Sequence, residues 1–129
     1  MYITHALLSD SDWDVLAEAA NWARRNQAIL ADTHWVGGDP SKLEVYGWAS
    51  WTPAKGILTL RNPSERPQTV RIDVGETFEL PQSRSRKFTA RSPWKADANT
   101  AAISLVVGKP HTFSLQPFAV VTLETDPVR

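Results

Sequence analysis

The sequence predicts a mainly β fold: one N-terminal amphipathic helix followed by an antiparallel β-sandwich of about eight short strands. Three observations lead there. Residues 13–30 hold neither glycine nor proline and place apolar side chains at helical spacing. From residue 43 onward, short runs of β-branched and aromatic residues alternate with turn residues, and the chain carries nine prolines to punctuate them. No helical pattern returns between those runs, which argues against a doubly wound parallel sheet.

The helix comes first. Ser9, Asp10, Ser11 and Asp12 supply N-cap side chains and acidic first-turn residues. Asp14, Glu18, Asn21, Arg25 and Asp32 recur as one narrow polar stripe. Nearly everything else is apolar or small. Trp13, Leu16, Ala17, Ala20, Ala23 and Leu30 fall on one side, and Val15, Ala19, Trp22 and Ile29 on another. A surface helix ordinarily buries one stripe of about 100°. This one offers apolar surface around most of its circumference, the pattern of a helix held between two bodies.

Residues 32–41, with Gly37-Gly38 and Asp39-Pro40, read as a loop. Strands are then expected over 43–51, 57–61 (stopped by Asn62-Pro63-Ser64), 69–74, 77–80, 87–91, 102–107, 112–115 and 119–123. In the third of these, Val70, Ile72 and Val74 share the inward phase.

With 42% hydrophobic and 22% charged residues, the chain has the make-up of a folded domain rather than a disordered one. At 129 residues it can bury roughly two-thirds of its unfolded surface, enough for a core without staples. Basic and acidic residues number 14 each, so there is no electrostatic footprint for nucleic acid or an anionic membrane. No apolar run is long enough to span a bilayer as a helix. Cysteine is absent, which excludes disulfides and thiolate metal sites. Residues 1–8 lack the basic stretch and cleavage site of a secretory signal. The chain taken alone reads as cytoplasmic, whereas a longer parent leaves the compartment open, secreted or periplasmic included.

No dinucleotide fingerprint, phosphate loop, zinc-protease motif, nucleophile elbow or calcium loop occurs, and no cofactor is implied. His5, His34 and His111 lie in three separate segments without metal-ligand spacing, and no metal site is expected. A glycosidase needs two carboxylates flanking a sugar. The acids before residue 37 read instead as helix cap and polar stripe. Asp39, Glu65, Asp97 and Asp126 fall in turns, and Asp73 and Glu79 on the outward phase of strands.

Six tryptophans remain to be explained. Exposed indoles stack on sugar rings, so Trp35, Trp48 and Trp51 form a candidate carbohydrate-binding group. Against this, Trp48 and Trp51 are three residues apart and point to opposite faces of a strand, which assigns one of them to the core. Trp13 and Trp22 read as packing anchors on the helix, and Trp94, after Pro93, as a plug for one end of the sandwich.

Three stretches resemble the end of bacterial α-galactosidase-like glycoside hydrolases, some of which carry an enterotoxin label. LEVYGWASWTPAKGILTLRNPSERPQ (43–68) resembles the first hairpin of their C-terminal β-domain. VGKPHTFSLQPFAVVTLE (107–124) resembles its final strands, and THALLSDSDWDVLAEAANWARRNQAIL (4–30) the last loop and helix of the catalytic TIM barrel. The likeness covers nearly the whole chain, and its motifs are turns rather than chemistry. It implies a division into 1–36, the last barrel helix, and 37–129, the β-sandwich domain. The two catalytic carboxylates of such retaining enzymes sit on earlier barrel strands, so no catalytic residue carries over.

The function expected is therefore a non-catalytic C-terminal domain that stabilises or docks on a barrel not contained in this sequence. Trp13, Val15, Leu16, Ala20, Trp22 and Ile29 are its docking helix residues. The alternatives are an independent carbohydrate-binding module built on Trp35, Trp48 and Trp51, and a homo-oligomeric structural protein in which a second copy covers the spare helix side.

Overall fold

The computed structural model describes residues 5–82 and 86–128. Helix α1 spans Asp10–Arg25. Its start is a reciprocal cap: Ser9 Oγ accepts from Asp12 N–H at 3.2 Å, and Asp12 Oδ2 accepts from Ser9 N–H at 2.9 Å. The helix ends earlier than its composition suggests. Asn26 leaves helical geometry at φ −108° and ψ 12°, and its buried side-chain amide donates to the Trp22 carbonyl at 2.9 Å. That bond lets the side chain compete with the backbone ladder. A single turn, α2 (Gln27–Leu30), then completes the stretch expected to be one helix.

Eight strands form two antiparallel sheets. They are β1 (Thr33–Gly37), β2 (Tyr46–Thr52), β3 (Lys55–Arg61), β4 (Gln68–Ile72), β5 (Lys87–Arg91), β6 (Ile103–Val106), β7 (His111–Leu115) and β8 (Val120–Pro127). The large sheet runs β1-β2-β3-β8-β5-β6, and β4 pairs with β7 in the small one. Period-two alternation gives the large sheet an inner face bearing Ala49, Leu58, Leu60, Phe88, Ala90, Leu105 and Leu123. These pack against Ile72, Phe113 and Leu115 of the small sheet in one core. The mainly β sandwich behind one long helix is thus the fold the sequence predicts. Gly47 lets β2 and β3 close up, since a Cβ there would overlap the Thr59 carbonyl oxygen.

Three local expectations are corrected. Residues 33–37 are a strand, not a loop, because β1 pairs with β2 from Thr33↔Ser50 to Gly37↔Tyr46. Residues 77–80 are not a strand. Asp73 Oδ1 accepts from Gly75 N–H at 2.8 Å and starts a helical turn, α3 (Val74–Thr77), which drives Phe78 into the core and leaves Glu79 at φ 52°. Asp73 is therefore a cap rather than an outward strand acid. Trp94 does not plug a sandwich end. It meets Trp22 edge-on, with ring centroids 5.2 Å apart at 63°, and so lies beside α1.

Candidate functional site

Residues opposite one another in register share a face, so the pairing defines the outer face of the large sheet. One row crosses it as Trp35, Trp48, Thr59 and Thr122, and the next as Gly37, Tyr46, Arg61 and Val120. Toward the other end of the strands the rows pass through Ser50, Ile57 and Glu124, where the helices cover the sheet. Ile57 is 2% exposed there yet lies outside the core cluster between the sheets.

Trp22 anchors that cover. It is the one residue of α1 that is buried, and its indole Nε1–H donates to Glu124 Oε1 at 2.6 Å. Lys55 Nζ holds the second carboxylate oxygen at 3.0 Å. Glu18 adds a tie, accepting from the Lys95 backbone N–H at 2.7 Å. The side of α1 bearing Ala19 and Trp22, with Ile29 of α2, thus closes onto the chain's own sheet, and Ala19 and Ile29 are half-buried. Trp13 (40% exposed), Leu16 (37%) and Ala20 lie in solvent, and Val15 is 63% exposed at the seam.

At that seam Val15, Glu18, Ala19, Trp94, Val120 and Thr122 line a mainly apolar groove of about 360 Å³. Its floor residue Thr122 accepts a hydrogen bond from Thr59 Oγ at 3.4 Å, in the same row as the tryptophans.

The carbohydrate group foreseen in sequence is only partly assembled. Trp35 and Trp48 come together, each 46% exposed, with ring centroids 4.9 Å apart at 87°. Trp51 does not join them. It lies on the inner face and packs against the core, its Nε1 buried without a partner among the described residues. Two residues that sequence reasoning missed complete the cluster instead. Tyr46 stacks on Trp35 at 5.1 Å and 10°, and Arg61 Nη1 donates to the Tyr46 hydroxyl at 3.1 Å. Tyr46 shares the strand phase of Trp48, a signal present in the sequence. Arg61 enters only through cross-strand register.

The carboxylates are mostly engaged in structure. Asp97 accepts from Ser92 at 2.6 Å, and Asp39 caps the turn at Ser41. Asp12 is held below the ordinary carboxylate range by the backbone N–H of Ser9, then by its hydroxyl. Among the described residues no three His, Asp or Glu side chains converge as a metal site, and no helix is long and apolar enough to cross a membrane. The surface offers ring faces, donors and a groove.

No family model matches the chain, and no curated protein matches it either. Among solved structures it is similar to a candidate α-N-acetylgalactosaminidase from Bacillus halodurans, with a TM-score of 0.56 at 13% identity. That likeness covers 74% of this chain and 21% of the other, so the chain shares the fold of about a fifth of that protein's length.

Proposed function

We propose that this chain is the non-catalytic C-terminal β-domain of a glycoside hydrolase together with the last helix of its catalytic barrel, and that it stabilises the barrel by docking through α1. The carrying observation is the two-sided helix: one side is shut onto the sheet through Trp22, and Trp13, Leu16 and Ala20 stay exposed on the other. Contiguous apolar exposure of that kind marks an interaction surface. The shared fold with part of a glycosidase-like structure supports the class of parent. An α-galactosidase-like specificity for that parent rests on the resemblance in residues 43–68 and 107–124. The pairing of β1 within the sheet supports drawing the proposed seam between barrel helix and sandwich ahead of Thr33 rather than between 36 and 37.

The solution mass of the 129-residue chain, measured across concentration, tests this. The uncovered side should drive concentration-dependent association, and Leu16→Gln with Trp13→Gln should return a monomer. A monomer at every concentration would show that α1 needs no second body. A discrete dimer that persists on dilution would make a second copy, rather than a barrel, the occupant of that side.

A further inference from the structure

We infer that the outer face of the large sheet carries a carbohydrate-binding site, formed by Trp35, Tyr46, Trp48 and Arg61 and extended along Thr59 and Thr122. It lies on the sheet, apart from the exposed side of α1, and stands or falls independently of the docking proposal.

The geometry is that of a corner. Trp35 and Tyr46 stack within 10° of parallel, and Trp48 stands at 87° to Trp35. Both indoles are nearly half exposed although they touch each other and lie mid-strand, where burial was available on the opposite face. The polar groups interleave with the rings. Arg61 spends one donor on the Tyr46 hydroxyl, which fixes the guanidinium beside the rings and leaves its other donors facing outward from an exposed side chain. Thr59 adds a hydroxyl in the tryptophan row, donating to that of Thr122, which is 8% exposed at the floor of the groove.

A pyranose presents a face of C–H bonds and an edge of hydroxyls. An aromatic corner with forked donors beside it meets both at once. In register the neighbours of the rings on β3 are a guanidinium and a hydroxyl, Arg61 and Thr59, and the first aliphatic side chain in these two rows is Val120 on β8. From Trp35 to Thr122 the row crosses three inter-strand steps, roughly 14 Å, enough for two or three linked sugar rings. The groove under α1, with Val15, Ala19 and Val120, continues from Thr122. The ligand class is therefore a short oligosaccharide lying across the strands with its terminal ring at the corner.

The test is titration of the full chain with galactose, N-acetylgalactosamine and glucose, and with a trisaccharide of each series, read by the indole N–H resonances in ¹H–¹⁵N spectra. The resonances of Trp35 and Trp48 should move while that of Trp13 stays still. Affinity should rise from mono- to trisaccharide. Trp48→Ala should weaken binding about tenfold. Arg61→Met, which keeps the stem, should weaken it less, while Trp13→Ala leaves it unchanged. Each variant's folded state is checked by the unmoved core methyl resonances. No shift at millimolar sugar, or shifts that persist in both Trp48→Ala and Arg61→Met, would overturn the site. Equal affinity for mono- and trisaccharide would overturn its extension along the threonines. Movement of the Trp35 and Trp48 resonances on adding a purified barrel, with none seen for sugars, would assign the corner to protein docking instead.

Discussion

Trp22 is the residue on which the attachment of the helix to the sandwich turns, and its truncation gives a worked magnitude. The side chain is 9% exposed, stacks edge-on to Trp94, and donates to Glu124 at 2.6 Å. Trp22→Phe removes the donor and part of the ring. A hydrogen bond to a charged partner contributes about 1.5–3 kcal/mol. Glu124 is 22% exposed on its side chain and keeps Lys55, so water replaces part of the loss, and about 2 kcal/mol is expected. Trp22→Ala adds the cavity, for about 3–5 kcal/mol in all. At roughly 2.1 cal/mol/K per residue, a chain of 129 residues loses about 4 °C of Tm per kcal/mol, so the variants should melt about 7 °C and about 11–18 °C early. Circular dichroism at low micromolar concentration reads this directly. The Glu124→Gln background sharpens it, because Trp22→Phe should cost about 1 kcal/mol less there. If Trp22→Phe melts within about 1 °C of the parent, or its cost is unchanged in the Gln background, the indole–carboxylate bond does not hold α1 to the sheet.

Two further outcomes are expected. Asn62 is fully buried and its amide donates to the carbonyls of Arg66, Leu115 and Gln116, while its Oδ1 accepts from Ser64 N–H and Gln68 Nε2. Asn62→Ala should cost about 2–4 kcal/mol in urea unfolding, and Asn62→Asp more, because it sets a carboxylate against three carbonyls; an Asp variant as stable as the parent would refute the network. The Asp12 carboxyl should titrate below its ordinary 3.8 and return toward it in Ser9→Ala, as read by side-chain NMR. Since the folded pKa is the depressed one, the cap's contribution is complete above about 4 and is lost as pH falls through the lower folded value, so helix content should drop in that acid window and not near neutrality.

Alternation and punctuation made most of the sandwich legible. The strand expected over 87–91 is β5 (Lys87–Arg91) as it stands, and Val70 and Ile72 do face inward. What escaped depends on contacts distant in sequence. Thr33–Gly37 looks like a loop because Gly37-Gly38 and Asp39-Pro40 crowd its end, and only pairing with β2 makes it a strand. Residues 77–80 have strand-forming composition, but the Asp73 cap upstream commits the chain to a helical turn first. Asn62 reads as a strand stop and is one, since Pro63 follows it. That the same side chain ties three segments together is invisible without knowing that it is buried. The candidate site divides the same way: Trp35 and Trp48 were visible as exposed-ring candidates, Tyr46 was visible by strand phase, and Arg61 only by register.

Helical periodicity shows that α1 has two apolar sides but is silent about which one the sandwich takes. The choice follows from polar handles. A buried tryptophan usually places its N–H on an acceptor, and a buried asparagine its amide. Trp22 finds Glu124, and Asn26 finds the Trp22 carbonyl, so the side carrying both can be closed without orphaned groups. The side of Leu16, Ala17 and Ala20, which also carries Trp13, is left outward. This choice also fixes what the helices leave bare. With Trp22 over Glu124 and α2 over β2 and β3 near Ser50 and Ile57, Trp48 and Trp35 lie one row beyond that cover, while on β8 the groove under α1 reaches Thr122 and Val120. The exposed helix side and the aromatic corner are therefore two separate surfaces left by one packing arrangement.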